Sequence, residues 1–362
     1  MNDPILFAQA MEKPEPDEAK TTAEMVATLM KISTTTYKNG QHALRSVHAK
    51  SHAILQGTLT VPSNLPEGLA QGLFAQAGTY PVIVRLSSTP GDLLSDTVST
   101  PRGLAIKVIG VAGERLPGSE GAVTQDFILI NGPAFAAPDA KSFLKKLKLL
   151  AGTTDKAPGL KSALATALRG AEKIVEAFGS ESGTLKSLGG HPATHPLGET
   201  FFTQVPVLYG KYIAKISLAP QSPELKSLKN QHASITHSPN ALREVVVDYF
   251  RTRSAVWDVR VQLCRNLEKM PIENSATVWP EDMSPFLTVA QLTVAAQPAW
   301  SDAHSVIVDD QTSFSPWHGI AAHRPLGSIM RVRKAAYEAS AQFRASHNGR
   351  AIVEPINSDA LK

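Results

Sequence analysis

With 36 lysines and arginines against 32 aspartates and glutamates in 362 residues, the formal net charge is only +4, so a pI near 9.0 conceals little excess charge. Hydrophobic residues make up 43% and charged residues 19%, the balance of a globular protein, either one large domain or two fused layers. No run of Lys and Arg interleaved with aromatics offers a nucleic-acid surface. The lone cysteine, Cys264, excludes an internal disulfide and a cysteine-based zinc site and suits a reducing compartment. MNDPILFAQAMEKPEP has no apolar leader, and no stretch reaches about 18 apolar residues. A cytoplasmic protein with no membrane span is therefore expected.

Residues 1–16 are Pro-rich and acidic and read as a loose arm. Residues 17–38 have acids at the front and Met25, Leu29 and Ile32 at helical spacing, which predicts a helix. From Arg45 the character changes. HAILQGTLTV, YPVIVRLSS, RGLAIKVIGV and QDFILI are short β-branched runs parted by Gly, Pro and Ser, the pattern of antiparallel strands. Helical character returns over 138–180, with Asp139 as N-cap for KSFLKKLKLLAG and a second helix in PGLKSALATALRGAEKIVEAFG. TFFTQVPVLYGKYIAKISLAP, WDVRVQLCRN and FLTVAQLTVAA read as strands, with a helix in NALREVVVDYFRTR, and IMRVRKAAYEASAQFRAS closes the order as a helix before an irregular tail. Strands, helices, strands and a final helix predict an α+β fold.

Two constellations carry chemistry. Arg333, Tyr337 and Arg344 stand at i, i+4 and i+11, within about 40° on one helical face. A guanidinium one turn from a phenol favours the phenolate, a hard anionic ligand for ferric iron. Spacing alone fits a surface helix with scattered arginines and one packed tyrosine better. The second is Arg45-Ser46-Val47-His48-Ala49-Lys50, which places a histidine at the head of a strand, where it could move protons at neutral pH. By itself, it fits a hydrogen-bonded histidine at a loop–strand junction better. The other histidines show no HExxH or other compact metal spacing.

In order, RSVHAK, YPVIVRLSS, SDTVSTPRGLAIKV, QDFILINGPAFAAPDAKSF, ATVWPEDMSPFLTVAQLTV and RVRKAAY resemble the motifs of the haem catalase superfamily over residues 40–345. The chain's length resembles the small, catalase-related (catalase-like peroxidase) branch. The resemblance implies a catalase-like antiparallel β-barrel with flanking helices. It implies an N-terminal arm and helix over 1–40, a haem domain over 41–345 and a tail over 346–362. It implies b-type haem, with Tyr337 as the iron's proximal ligand and Arg333 paired with the phenolate. By the same resemblance, Arg45, Arg85 and Arg344 hold the haem propionates. His48 is then the distal acid–base residue, Ser87 orients it, and Val47 and Phe143 line the distal face.

There is one departure at the centre of the pattern. Aligned without a gap, Ile130 stands where catalases place the distal Asn, and Asn131 is its neighbour. Either a local shift turns Asn131 toward the iron, making His48 and Asn131 the catalytic pair, or the distal Asn is missing. The resemblance implies reduction of hydrogen peroxide through a ferryl intermediate, with catalase or peroxidase turnover and a small organic electron donor in the second case. The alternatives are an organic or lipid hydroperoxide-converting enzyme on the same scaffold, and a haem-binding protein without turnover. The short N-terminal arm suits a homo-oligomer, a dimer or a looser assembly.

Overall fold

β-Branched and aliphatic residues crowd the runs between Lys50 and Ile130 because these strands bury both faces. The computed structural model describes residues 2–152, 192–235 and 238–357, so the helix expected over 158–179 lies outside the described residues. The strands are β1 (Lys50–Val61), β2 (Gly78–Ser88), β3 (Arg102–Ile109), β4 (Thr124–Ile130), β5 (Phe201–Phe202), β6 (Val207–Tyr209), β7 (Tyr212–Pro220), β8 (Ala255–Leu263) and β9 (Leu287–Val294). The helices are α1 (Glu18–Gly40), α2 (Ala140–Ala151), α3 (Pro223–Ser227), α4 (Ala241–Phe250), α5 (Asp302–Ser305) and α6 (Ser328–Asn348).

Every strand pair is antiparallel. The sheet runs β5-β4-β3-β2-β1-β9-β8-β7-β6, and pairing of β5 with β7 at Phe201↔Leu218 closes it. The result is an eight-stranded barrel in which β6 is a hairpin partner of β7. Closure removes the unpaired edges that an open sheet of this size would expose. Leu55, Val84, Leu86, Leu104, Ile106, Phe127, Leu129, Ile216 and Val259 fill the interior.

The period of two then sends the intervening residues outward. On β2 these are Ile83, Arg85 and Ser87; on β3, Gly103, Ala105 and Lys107; on β4, Asp126, Ile128 and Ile130. The outer face is itself covered. Val308 and Phe314, from the chain between β9 and α6, pack on Ile54, Ile83 and Ile109. At one end of this face Lys107 stands directly across from Asp126, with the ammonium 2.7 Å from the carboxylate. Glu354, in the irregular tail beyond α6, adds a second carboxylate at 2.6 Å. Burial and the neighbouring Glu354 push the Asp126 carboxyl up to about 7, although Lys107 opposes them.

The helices form a second layer. Met25, Leu29 and Ile32 of α1 interlock with Ala140, Leu144 and Leu147 of α2 and with Val332 and Ala336 of α6. Small residues let these parts approach: Ser46 in the loop before β1 bonds Ser33 of α1 at 2.8 Å and Ser340 of α6 at 3.0 Å. Asp139 caps α2 as expected, its carboxylate accepting from the Ser142 N–H at 2.7 Å. No helix among the described residues is long and apolar enough to cross a membrane.

Candidate functional site

The outer face of β2–β4 and the inner face of α6 form two facing walls. On the barrel side, the loop ahead of β1 lays the His48 ring against Gly103. A Cβ on Gly103 would sit 2.7 Å from the ring atoms Cε1 and Nδ1, so glycine is what lets the imidazole lie there. Ser87 reaches His48 Nδ1 at 3.3 Å, the donor being set by the imidazole tautomer. His48 has φ +56, a left-handed conformation that side-chain-bearing residues seldom adopt outside functional or tightly held sites. Burial, then the charges of Arg85 and Arg333, lower its pKa to about 3, so the imidazole is neutral and able to accept a proton at physiological pH.

On the helical side, the Arg333 guanidinium donates to the Tyr337 phenol oxygen at 2.6 Å and lies over the Phe135 ring at 5.7 Å. The helix expected over 329–346 forms with Arg333, Tyr337 and Arg344 on one face, as their spacing requires. Between the walls lies a narrow cleft bordered by Ile128 and Ile130 on one side and Val205, Met330 and Arg333 on the other. Arg333 lines the same cleft as Ile128 and Ile130 of β4, so its side chain faces the barrel wall. Phe143 packs edge-on to Phe135 at 4.9 Å, and Val47 joins the cluster of α1, α2 and α6.

At the other end three buried or half-buried arginines converge on one stretch of chain. Arg45 donates to the carbonyls of Val308, Asp309 and Thr312, and Arg344 to those of Asp309, Asp310 and Thr312. Arg85 Nε meets the Asp309 carboxylate at 2.6 Å. Burial lowers the Arg344 pKa to about 10, with the charge of Arg85 acting in the same direction. Burial alone would raise the Asp309 carboxyl, but Arg85 and Arg45 outweigh it and hold it at about 2. Arg344 Nε is buried without a hydrogen-bond partner among the described residues.

Asn131 is not brought to this site. Its side-chain oxygen accepts from the Arg102 N–H at 2.9 Å and its amide donates to Glu199 at 2.8 Å. The register explains why. Gly103 pairs with Ile130, so Ile130 shares the face on which His48 lies, and its neighbour is directed away. In this structure Asn131 therefore sits with Arg102 and Glu199 and not with His48. Asp309, at the centre of the arginine cluster, was not foreseen. Its only sequence signal is a pair of acids ending the apolar run VIV.

No family model matches the sequence, and no curated protein does. Solved structures do match. A fungal catalase superposes with TM-score 0.59 at 16% identity, covering 91% of this chain and 64% of that one. Catalase A from Saccharomyces cerevisiae gives 0.60 at 14%, covering 91% and 66%, and a bacterial catalase 0.58 at 14%, covering 98% and 65%. The fold is catalase-like. The chain spans slightly less than two-thirds of the length of these catalases.

The buried histidines give this catalase-like domain a pH signature. Burial lowers His48 to about 3, His195, His318 and His323 to about 4, and His52 well below its usual value. Each folded-state value is below that of the unfolded chain, so the unfolded state binds more protons as the pH falls from about 6.5 toward 4. Each such proton removes about 1.4 kcal/mol of stability per pH unit. Asp126 and Glu199, whose carboxyls burial raises, act in the opposite sense and offset part of this. Thermal denaturation should show Tm falling as the pH drops from about 6.5 to 5, where the five histidines outweigh the two acids. A flat or rising Tm would contradict neutral burial of these rings.

Proposed function

We propose that the protein is a haem-dependent enzyme that processes peroxides. The observation that carries this reading is the opposition of a neutral, preorganised His48 on the barrel wall to the Arg333–Tyr337 pair on α6. The donor set also fits haem. Arg45, Arg85 and Arg344 outnumber the two carboxylates near them, Asp309 and Asp310, and Arg344 retains a buried Nε–H, so the cluster keeps net positive charge toward a propionate. Ile128, Ile130, Val205 and Met330 suit an apolar ring edge. Tyr337 would supply the iron ligand, with the Arg333 charge beside its oxygen.

Bound there, the iron would supply the redox chemistry that the side chains lack. The rest falls to the chain. With the two electrons for O–O cleavage supplied by the haem, His48 would hold the proton taken from a bound peroxide and give it back to the oxygen that becomes water. Ser87 and Gly103 hold the ring for both transfers. Absorbance titration of apoprotein with haem, followed by peroxide assays, tests the reading. Absence of a Soret band at stoichiometric haem would sink it, and a Soret band without peroxide consumption would leave a haem-binding protein.

A specific observation favours organic hydroperoxides over dismutation of hydrogen peroxide. Ile130 gives the His48 face a methyl-bearing side chain where a hydrogen-bond donor would orient a small polar peroxide. One positioned donor is worth about 10²–10³ in rate by analogy with oxyanion donors. The wild-type protein should consume an alkyl hydroperoxide with a small organic electron donor and release little oxygen from hydrogen peroxide. Ile130→Asn should raise oxygen release tenfold or more. An oxygen electrode decides, and vigorous oxygen release from the unmodified protein would overturn this preference.

A further inference from the structure

The geometry points to Asp309 as a positioning residue for His48, acting through Arg85; this rests on the acid–base role given to His48 above. Asp309 is not near the imidazole. It sits near the end of the short helical stretch Val306–Asp310 that follows α5, and its carboxylate reaches the barrel through polar contacts. One carboxylate oxygen accepts from Ser51 Oγ of β1 at 2.7 Å and from Ser305 Oγ at 2.8 Å. The other accepts from Arg85 Nε at 2.6 Å and from Arg45 Nη1 at 3.3 Å. Both oxygens are thus fixed, and the carboxylate has one orientation relative to β1 and β2.

Arg85 passes that constraint on. While Nε holds Asp309, Nη2 donates to the carbonyl of His48 at 3.0 Å and to that of Ala49 at 3.1 Å. The guanidinium is planar and rigid, so fixing one edge fixes the other. The two carbonyls it gathers bracket the peptide that follows His48, where the chain turns left-handed. A strained φ persists only where its surroundings over-determine it. Here the chain Asp309–Arg85–His48 backbone supplies that determination, while Ser87 and Gly103 fix the ring. Among the described residues, Asp309 is the only carboxylate in ion-pair contact with Arg85. With it neutralised, Arg85 would be free to turn, and the imidazole would lose the backbone anchor that sets its height above the cleft. A misplacement of about 1 Å costs on the order of a hundredfold in rate.

The test uses Asp309→Asn, which keeps the shape and removes the charge, with Asp310→Asn as the control. Asp310 serves His42 and Asn348 and makes no side-chain contact with Arg85. Imidazole signals of histidine-labelled apoprotein, with that of His48 assigned from its loss in His48→Ala, report ring position without haem. The expected result is a displaced His48 signal in Asp309→Asn, unmoved in Asp310→Asn. In haem-loaded protein, kcat for peroxide consumption should fall about tenfold to a hundredfold with KM little changed. Asp309→Glu, which keeps the charge, should recover part of it. An unmoved His48 signal in folded Asp309→Asn overturns the proposal. Should that variant fail to fold, Ser51→Ala, which frees one carboxylate oxygen, must shift the His48 signal in the same sense, and no shift overturns the proposal. If the signal moves in Asp309→Asn but His48→Ala leaves turnover intact, positioning stands and the acid–base reading fails.

Discussion

Tyr337→Phe is expected to leave the protein folded and to reduce its affinity for haem by at least a hundredfold. Tyr337 is half-buried on α6 and the one described partner of its phenol oxygen is Arg333, so removing that oxygen costs about 1 kcal/mol of hydrogen bonding and leaves the helix packing through Val332 and Ala336 unchanged. Partners of a ligand are themselves worth about 10- to 100-fold in affinity, and loss of the ligand should exceed that. Titration of apoprotein with haem, followed by absorbance, measures both affinity and ligand type. A spectrum and affinity equal to the parent's would exclude Tyr337 as the axial group. The arginine cluster provides the contrast, since weakened binding from loss of Arg344 should leave the ligand-dependent bands in place.

His48→Ala should show the opposite separation: haem retained within a few-fold, peroxide consumption down by about 10²–10⁴. The imidazole lies against Gly103 on the barrel wall and its ring bonds Ser87 rather than any of the three arginines, so the cofactor's anchors survive its loss. Alanine at φ +56 carries strain of its own. His48→Gly therefore serves as a companion that removes the ring and relieves the backbone. Equal loss of turnover in both variants assigns the effect to the imidazole. Parental turnover in the glycine variant would show that the ring handles no proton.

The barrel was legible because its strands obey two simple rules. Each is a β-branched run bounded by turn residues, and each final boundary falls within a few residues of the pattern, from HAILQGTLTV in β1 to FLTVAQLTV in β9. The helix bearing Arg333, Tyr337 and Arg344 was legible for the same reason, a period that places three positions on one face. What the pattern did not disclose lies between β9 and α6. Residues 300–317 have no sustained period, yet they cover the outer barrel face with Val308 and Phe314 and bring Asp309 to the arginines. Asp309 is 224 positions from Arg85, and no local spacing can signal a contact of that range. Asn131 is the reverse case. The strand alternation that assigns Ile130 to the His48 face was present in QDFILIN, but deciding between neighbours required the register with Gly103.

The Lys107–Asp126–Glu354 cluster has a consequence for the order in which the chain can be completed. The β3–β4 hairpin supplies the ammonium and one carboxylate locally, 19 positions apart, but the second carboxylate comes from 247 positions downstream. A nascent barrel can therefore bury Lys107 with a single partner long before the tail emerges. Glu354 then docks as one of the last long-range contacts, carrying with it the bond from the Val353 N–H to the Gln311 carbonyl. Contacts of such sequence separation are costly in loop-closure entropy and are made late. The tail acts as a seal on a barrel already formed, and it ties the chain's last described residues to the stretch that carries Asp309.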